Sequence, residues 1–244
     1  PGWCRRMRRP TRRSSGYRLW VRLVHAGTAI GRAQRRALRG ERLPAVAVAA
    51  GARDGRTERA ERTRRALVDA LLALLDEGEL RPTAERIAAR AGVSERSLFQ
   101  HFPDREQLFE AVARQQYERV VPTLRPVDAS LPLPDRIDAF VEQRARLYEL
   151  SKGVRRAASL LEPDSGAVAG WLAAARKAGV ADVERVFRDE LERAPEEQRP
   201  VLRAALVSAS AWTAWESYRF HQGLGIGRAR AAMRATIAGL VGEG

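Results

Sequence analysis

Cysteine, lysine and long apolar runs are scarce in this chain of 244 residues. Cys4 is the one cysteine, which excludes an internal disulfide and a four-cysteine zinc or iron–sulfur site. No apolar run approaches the roughly 18 residues that a membrane-spanning helix needs. The sequence therefore predicts a cytoplasmic protein without a membrane partner.

Arginine supplies almost all of the positive charge, since the chain has 42 arginines and only two lysines, Lys152 and Lys177. We attribute this usage to a GC-rich gene, because lysine serves as well as arginine on exposed surfaces. The net charge of +14 is concentrated in residues 1–56, which hold 15 arginines and two acidic residues. Residues 57–244 hold 29 basic and 28 acidic residues, so the high positive charge says little about their function.

Residues 1–56 allow three interpretations. They show no sustained helical or strand period, and their clustered arginines repel one another. The segment is either disordered or translated in error from upstream sequence, or it is a basic arm that adds sequence-independent DNA affinity. A targeting peptide is the third interpretation, although the apolar run 45–50 is short and far from the N-terminus. Whether the segment belongs to the native protein stays open.

Residues 57–121 have the pattern of a helix-turn-helix unit. An amphipathic helix, with Thr57 as N-cap and Gly78 as its stop, is predicted from apolar residues at helical spacing: Leu67, Ala70, Leu71, Leu74 and Leu75. A short helix of about eight residues then follows the N-cap Thr83, and the Ala-Gly-Val turn contains Gly92. A second short helix of about seven residues begins after the N-cap Ser94. This spacing is typical of DNA-binding helix-turn-helix motifs, although a packed helical hairpin has a similar pattern.

Residues 87–108 read IAARAGVSERSLFQHFPDREQL and resemble the signature of TetR-family transcriptional regulators, in which IA..AGVS..TLY.YF..KE.L recurs. The resemblance covers residues 60–110. Ser97 replaces a threonine, Phe99 and His101 replace two tyrosines, and Arg105 replaces a lysine. Phe99 cannot donate the phosphate hydrogen bond that the family's tyrosine hydroxyl makes, but it can contact a thymine methyl group.

The resemblance implies which residues contact DNA. Thr83 and Arg105 would hold phosphates, and Arg96 and Gln100 would read bases, since arginine suits guanine and glutamine suits adenine. His101 either faces bases or packs beside Phe102. The full predicted set is Thr83, Ser94, Arg96, Ser97, Phe99, Gln100, His101 and Arg105.

Residues 122–244 are predicted to be helical after a proline-rich loop over 122–134. The helical patterns cover 135–151, 153–161, 165–193, 196–222 and 226–242, and Pro200 allows a later start for the fourth. The predicted fold is all-α with about nine helices. A helix-turn-helix DNA-binding domain (57–121) is followed by a helical ligand-binding and dimerisation domain (122–244).

No catalytic or metal-binding pattern stands out. His25, His101 and His221 are isolated, and no nucleophile-elbow, P-loop or dinucleotide motif occurs. The sequence therefore predicts neither an enzyme nor a bound metal or cofactor.

The aromatic residues of the helical domain are either ordinary core or the lining of a ligand cavity, which the resemblance implies. Arg144 shares an apolar stripe with Tyr148, so its guanidinium snorkels outward, pairs with an acid, or binds a ligand carboxylate. The candidate ligand-binding residues are Arg144, Tyr148, Trp171, Phe187 and Trp212. The small residues of the last helix allow either intramolecular packing or the dimer interface of the last two helices that the resemblance implies.

The sequence thus predicts a homodimeric transcriptional regulator, a repressor that a small-molecule ligand releases from a palindromic double-stranded DNA operator. One alternative is a helical protein-interaction module. Another is a nonspecific nucleic-acid binder that acts through residues 1–56. The ligand, the operator sequence and the target genes are not specified by the sequence.

Overall fold

A computed structural model describes residues 55–242 and has the all-α architecture that the sequence predicts. The described range contains ten α-helices, where about nine were expected, and no strand. The predictions for residues 1–54 lie outside this range. The helices are α1 Gly55–Asp76, α2 Ala84–Ala91, α3 Glu95–His101, α4 Arg105–Val120, α5 Leu133–Leu161, α6 Gly166–Val186, α7 Arg188–Arg193, α8 Arg199–Ala209, α9 Trp212–Glu216 and α10 Ile226–Val241.

One hydrophobic core joins the first four helices to parts of α5 and α6. Leu67 and Leu74 of α1 and Phe102 after α3 are fully buried in it. Val154 in the second half of α5 and Val168 at the start of α6 belong to the same cluster. The core of the helix-turn-helix region therefore includes residues well beyond position 121.

A second hydrophobic core lies between the first half of α5, the end of α6, and helices α8, α9 and α10. Phe140 and Phe187 meet in it edge to face, with ring centroids 5.1 Å apart. Trp215 of α9 and Met233 of α10 are fully buried beside them. Since α5 and α6 contribute to both cores, they are the continuous link between the two ends of the molecule.

The predicted interruption of α5 near residue 152 is wrong, because the helix runs through Gly153 without a break. A Cβ atom at Gly153 would lie 2.7 Å from the carbonyl oxygen of Leu75, at the end of α1. The glycine therefore permits a close helix–helix approach and does not mark a helix end.

The predicted helix over 165–193 is divided at Phe187, which leaves helical geometry between α6 and α7. The buried Arg136 guanidinium donates to the carbonyl of Val186 at 3.1 Å and to the Glu190 carboxylate at 2.7 Å. These bonds satisfy the backbone at the break and pair both buried charges.

The predicted helix over 196–222 begins at Arg199, in agreement with the later start that Pro200 allows, and ends at Ala209. The carbonyl of Ser210, beyond the end of α8, accepts a hydrogen bond from the Tyr148 hydroxyl at 2.7 Å. A π-helical turn over Ser217–His221 follows α9.

The first helix also differs from expectation, since Thr57 lies inside α1 and is not its N-cap.

Candidate nucleic-acid interface

The two caps predicted for α2 are confirmed. The Thr83 side chain accepts a hydrogen bond from the backbone N–H of Arg86 at 3.2 Å. At the other end Gly92 has φ 69° and ψ 30°, and its N–H bonds the carbonyl of Ala89 at 3.1 Å. The N–H of Val93 bonds the Ala88 carbonyl at 3.0 Å, which completes a Schellman motif and turns the chain toward α3.

Helix α3 has one buried side and one exposed side. The Ser94 hydroxyl caps its start by accepting from the N–H of Ser97 at 3.2 Å, as predicted. Leu98 and the following Phe102 are fully buried and fix the helix on the first core. The exposed side consists of Glu95, Arg96, Phe99 and Gln100.

Arg64 of α1 holds the C-terminal end of α3, a role that the sequence reasoning missed. Its Nη1 donates to the carbonyl of His101 at 2.9 Å, and its guanidinium lies 4.2 Å from the Phe102 ring centroid. A cation at the C-terminal end of a helix is favourable, because the last carbonyls carry partial negative charge. The signal in the sequence is that Arg64 precedes Leu67 by one helical turn, on the apolar side of α1.

The two arginines of α2 form ion pairs, whereas Arg96 of α3 forms none within residues 55–242. Arg86 pairs with Glu79 at 3.3 Å, and Arg90 pairs with Glu77 at 2.5 Å, so both are held by carboxylates of the loop after α1. The Glu77 pKa is lowered by its hydrogen bonds from Arg90. Among residues 55–242, Arg96 makes no hydrogen bond or ion pair, so its fork of donors is available to a ligand.

The other predicted DNA contacts lie around α3. Ser97 and His101 are half-buried, and Phe99 is 39% exposed. Thr83 is exposed at the start of α2, and Arg105 is half-buried in the first turn of α4. The structure thus places the predicted set on α3 and at the starts of α2, α3 and α4, which pack on the first core.

Helix α4 is hydrogen-bonded to the residue that caps α6, through Glu106. Its carboxylate accepts a hydrogen bond of 2.6 Å from the buried Ser165 hydroxyl. The same hydroxyl oxygen accepts the N–H of Val168 at 3.2 Å and so caps α6. A shift of α6 therefore acts on α4 directly.

The candidate ligand-binding residues fall into separate groups. Arg144 is buried and pairs with Asp182 at 3.0 Å, which agrees with one of the alternatives left open by the sequence. Phe187 is fully buried in the second core, whereas Trp171 packs against the first. Tyr148 and Trp212 do meet, with ring centroids 5.7 Å apart.

Residues 55–242 contain neither a cluster of metal-ligating side chains nor a membrane-spanning helix. No group of three or more His, Cys, Asp or Glu side chains in this range is arranged to hold a metal ion. None of the helices in the same range is long and apolar enough to cross a bilayer.

Comparisons with known proteins agree with this geometry. Residues 67–112 match the family described as bacterial regulatory proteins, tetR family. The HTH-type transcriptional repressor LfrR of Mycolicibacterium smegmatis (strain ATCC 700084 / mc(2)155) is 41% identical over 80 residues, which cover 29% of this chain and 41% of that repressor. The chain therefore spans well under two thirds of the length of this relative.

A solved structure has a similar fold. It is a 1.54 Å crystal structure from Mesorhizobium loti MAFF303099, assigned to the TetR family of transcriptional regulators. The TM-score is 0.54 at 15% sequence identity, over 76% of this chain and 98% of that one. The fold and the turn geometry define an all-α helix-turn-helix protein. Residues 67–112 of the chain are similar to the tetR family of bacterial regulatory proteins, and the described fold is similar to that of a solved structure assigned to this family.

Proposed function

We propose that this chain is a dimeric DNA-binding repressor that a small-molecule ligand releases from a palindromic operator, and that it acts in the cytoplasm. The observation that carries the proposal is the exposed side of α3. It presents Arg96, Phe99 and Gln100 on a helix that Leu98 and Phe102 fix to the core. A rigid helix with exposed donors is what the major groove admits.

Arg96 and Gln100 are proposed as the base readers. Arg96 is exposed and has no partner within residues 55–242, so it can donate two hydrogen bonds to guanine O6 and N7. Gln100 lies one turn further along the same exposed side and suits adenine. Phe99, which lies between them, is proposed to contact a thymine methyl group. Ser97 and His101 flank this surface and are proposed to face bases from its edge.

Phosphate contacts are proposed at the starts of the helices. Thr83 and Ser94 are exposed N-caps of α2 and α3, and their hydroxyl hydrogens remain free to donate while the oxygens accept the capping bonds. Arg105 lies in the first turn of α4, where the partial positive charge of a helix N-terminus adds to its own charge. These contacts would fix the register of α3 on the duplex.

A homodimer is proposed through α8 and α10, which pack side by side. Both helices leave small or apolar side chains exposed, in stripes of helical spacing: Val201, Ala204 and Ser208 on α8, and Ala231, Ala235 and Gly239 on α10. Small residues permit close helix packing, and a two-fold dimer matches two half-sites about one helical turn apart.

Release by a ligand requires that the helical domain and α3 move together. The residues proposed to bind the ligand are Arg144, Tyr148, Trp171, Phe187 and Trp212. The Glu106–Ser165 hydrogen bond connects the start of α6 directly to α4, and α4 follows α3 in the chain. A ligand that binds better to one separation of the two α3 helices would shift the dimer toward it.

The test is a titration of the full chain onto overlapping duplexes from the DNA flanking its gene, with scrambled duplexes as controls at physiological salt. We expect one duplex to bind at least tenfold more tightly than its scrambled form, with two chains per duplex. Equal affinity for all duplexes would favour the alternative in which residues 1–56 bind DNA without specificity. No binding to any duplex would favour a helical interaction module.

A further inference from the structure

Arg155 of α5 is a half-buried cation at the junction of the two cores. Along α5, Tyr148 is the last residue of the second core before it, and Val154 is the first residue of the other core. The Arg155 Nε donates to the Ser151 hydroxyl oxygen at 2.9 Å. Its guanidinium carbon lies 5.1 Å from the Tyr148 ring centroid and 5.9 Å from that of Trp212.

Arg155 has no carboxylate partner within residues 55–242, unlike the other arginines nearby. Arg144 pairs with Asp182 at 3.0 Å, and Arg156 pairs with Glu216 at 3.7 Å. Burial lowers the pKa of Arg155, and the charge of Arg144 lowers it further against the opposing effect of Tyr148. A desolvated cation of this kind gains most from an anion that enters its surroundings.

The Trp212 indole beside Arg155 has an unused donor. Its Nε1 is buried and has no hydrogen-bond partner. The Tyr148 hydroxyl is already donated to Ser210, so it does not serve this region. The Arg155 guanidinium therefore lies close to two aromatic rings, one of which carries an indole N–H without a hydrogen-bond partner.

We infer that the effector is an aromatic anion whose carboxylate, sulfonate or phenolate oxygen pairs with Arg155 and whose ring stacks against Trp212. The inference rests on the effector-binding role proposed above. It adds Arg155 to the candidate residues and selects the chemical class of the ligand. Arginine suits such a group, because its fork of donors matches two oxygens and its flat face tolerates aromatic neighbours.

The test compares two fluorescent probes that share a ring system but differ in charge. They are 1-anilinonaphthalene-8-sulfonate, an anion, and the neutral N-phenyl-1-naphthylamine. We expect Arg155→Gln in the full chain to weaken binding of the anion by about tenfold or more and to change binding of the neutral probe less than about twofold. Arg146→Gln, at an exposed position of the same helix, should change neither.

Two results would overturn the inference: unchanged affinity for the anion in Arg155→Gln, or an equal loss for both probes. Arg155→Lys keeps the charge and guards against a folding defect, and it should still prefer the anion. Duplex binding by the same protein preparations, without probe, is measured separately. Failure of the proposed repressor function would appear as absent duplex binding. Failure of this inference would appear as an Arg155→Gln variant that binds the anion as tightly as the unmodified chain, or that loses affinity for both probes equally.

Discussion

Replacement of Gly153 by alanine tests the close contact between α1 and α5. The added Cβ would lie 2.7 Å from the carbonyl oxygen of Leu75, 2.8 Å from its carbonyl carbon and 2.9 Å from a carboxylate oxygen of Asp76. The first two atoms belong to the backbone and cannot rotate away. Ordinary contact begins near 3.4 Å, so the helices must separate by a large fraction of an ångström.

Two opposing terms set the expected stability change. Alanine is favoured over glycine inside a helix by about 1 kcal/mol. Overpacking a rigid contact costs about 1–3 kcal/mol, and a clash with backbone falls in the middle of this range. We therefore expect a net loss of about 1 kcal/mol in the free energy of unfolding. For a domain of this size the loss corresponds to a Tm about 2–4 °C lower.

The assay is thermal unfolding of the full chain followed by circular dichroism, with Gly179→Ala as the matched control. Gly179 also lies inside a helix, and nothing lies within 4 Å of the position its Cβ would take. The control should raise the Tm, because it gains helix propensity without a clash. If Gly153→Ala raises the Tm by as much as the control, the account of the α1–α5 contact is refuted.

Three further changes test other contacts. Arg64→Ala should weaken duplex binding about tenfold with a small loss of Tm, since it frees the end of α3, and fluorescence anisotropy measures the affinity. Burial raises the pKa of Glu149, but hydrogen bonds from Arg219 and Trp215 outweigh burial and hold it below 4.5. Glu149→Gln should therefore lower the Tm at pH 7. Its difference from the unmodified chain should shrink as the pH falls below 4.5, because the native contact is lost on protonation. Ala235→Glu should convert the dimer to monomer in sedimentation and reduce duplex binding.

Each of these changes has a matched control. Arg65→Ala removes an exposed neighbour of Arg64 and should leave the end of α3 in place. Lys152→Gln removes a half-buried partner of Glu149 and should lower the Tm less than Glu149→Gln. Ala173→Glu places the same charge on an exposed part of α6 and should leave the dimer intact. If a control variant has the same effect as its test variant, the role proposed for the contact that the test variant removes is contradicted.

The helix-turn-helix was predictable because its determinants are local. Thr83, Gly92 and Ser94 act on residues within one turn of themselves, so their caps and the left-handed turn follow from a short stretch of sequence. The burial of Leu98 and Phe102 follows in the same way from helical spacing. The exposed side of α3 was therefore identified from sequence alone, while its contacts with DNA remain predictions.

Three of the errors involve contacts between residues that are distant in the sequence. The sequence pattern suggests that Gly153 breaks the helix, but the structure shows that the glycine allows the end of α1 to pack closely against α5. Phe187 interrupts a good helical pattern at the place where Arg136, 50 residues away in the sequence, donates a buried hydrogen bond to the carbonyl of Val186. Arg155 was missed because two separate helices, 135–151 and 153–161, were predicted where α5 is continuous. The stripe that contains Arg144 and Tyr148 continues along α5 to Arg155.

The most direct test of the account measures how the chain discriminates single base pairs. Binding of the full chain to its operator is compared with binding to operators that carry each single base-pair substitution, for the Arg96→Ala variant and for an Arg176→Ala control. We expect Arg96→Ala to lose about 1–3 kcal/mol of discrimination at one base pair in each half-site, and the control to lose none. Uniform weakening at every position would contradict base reading by Arg96 and reduce it to a phosphate contact.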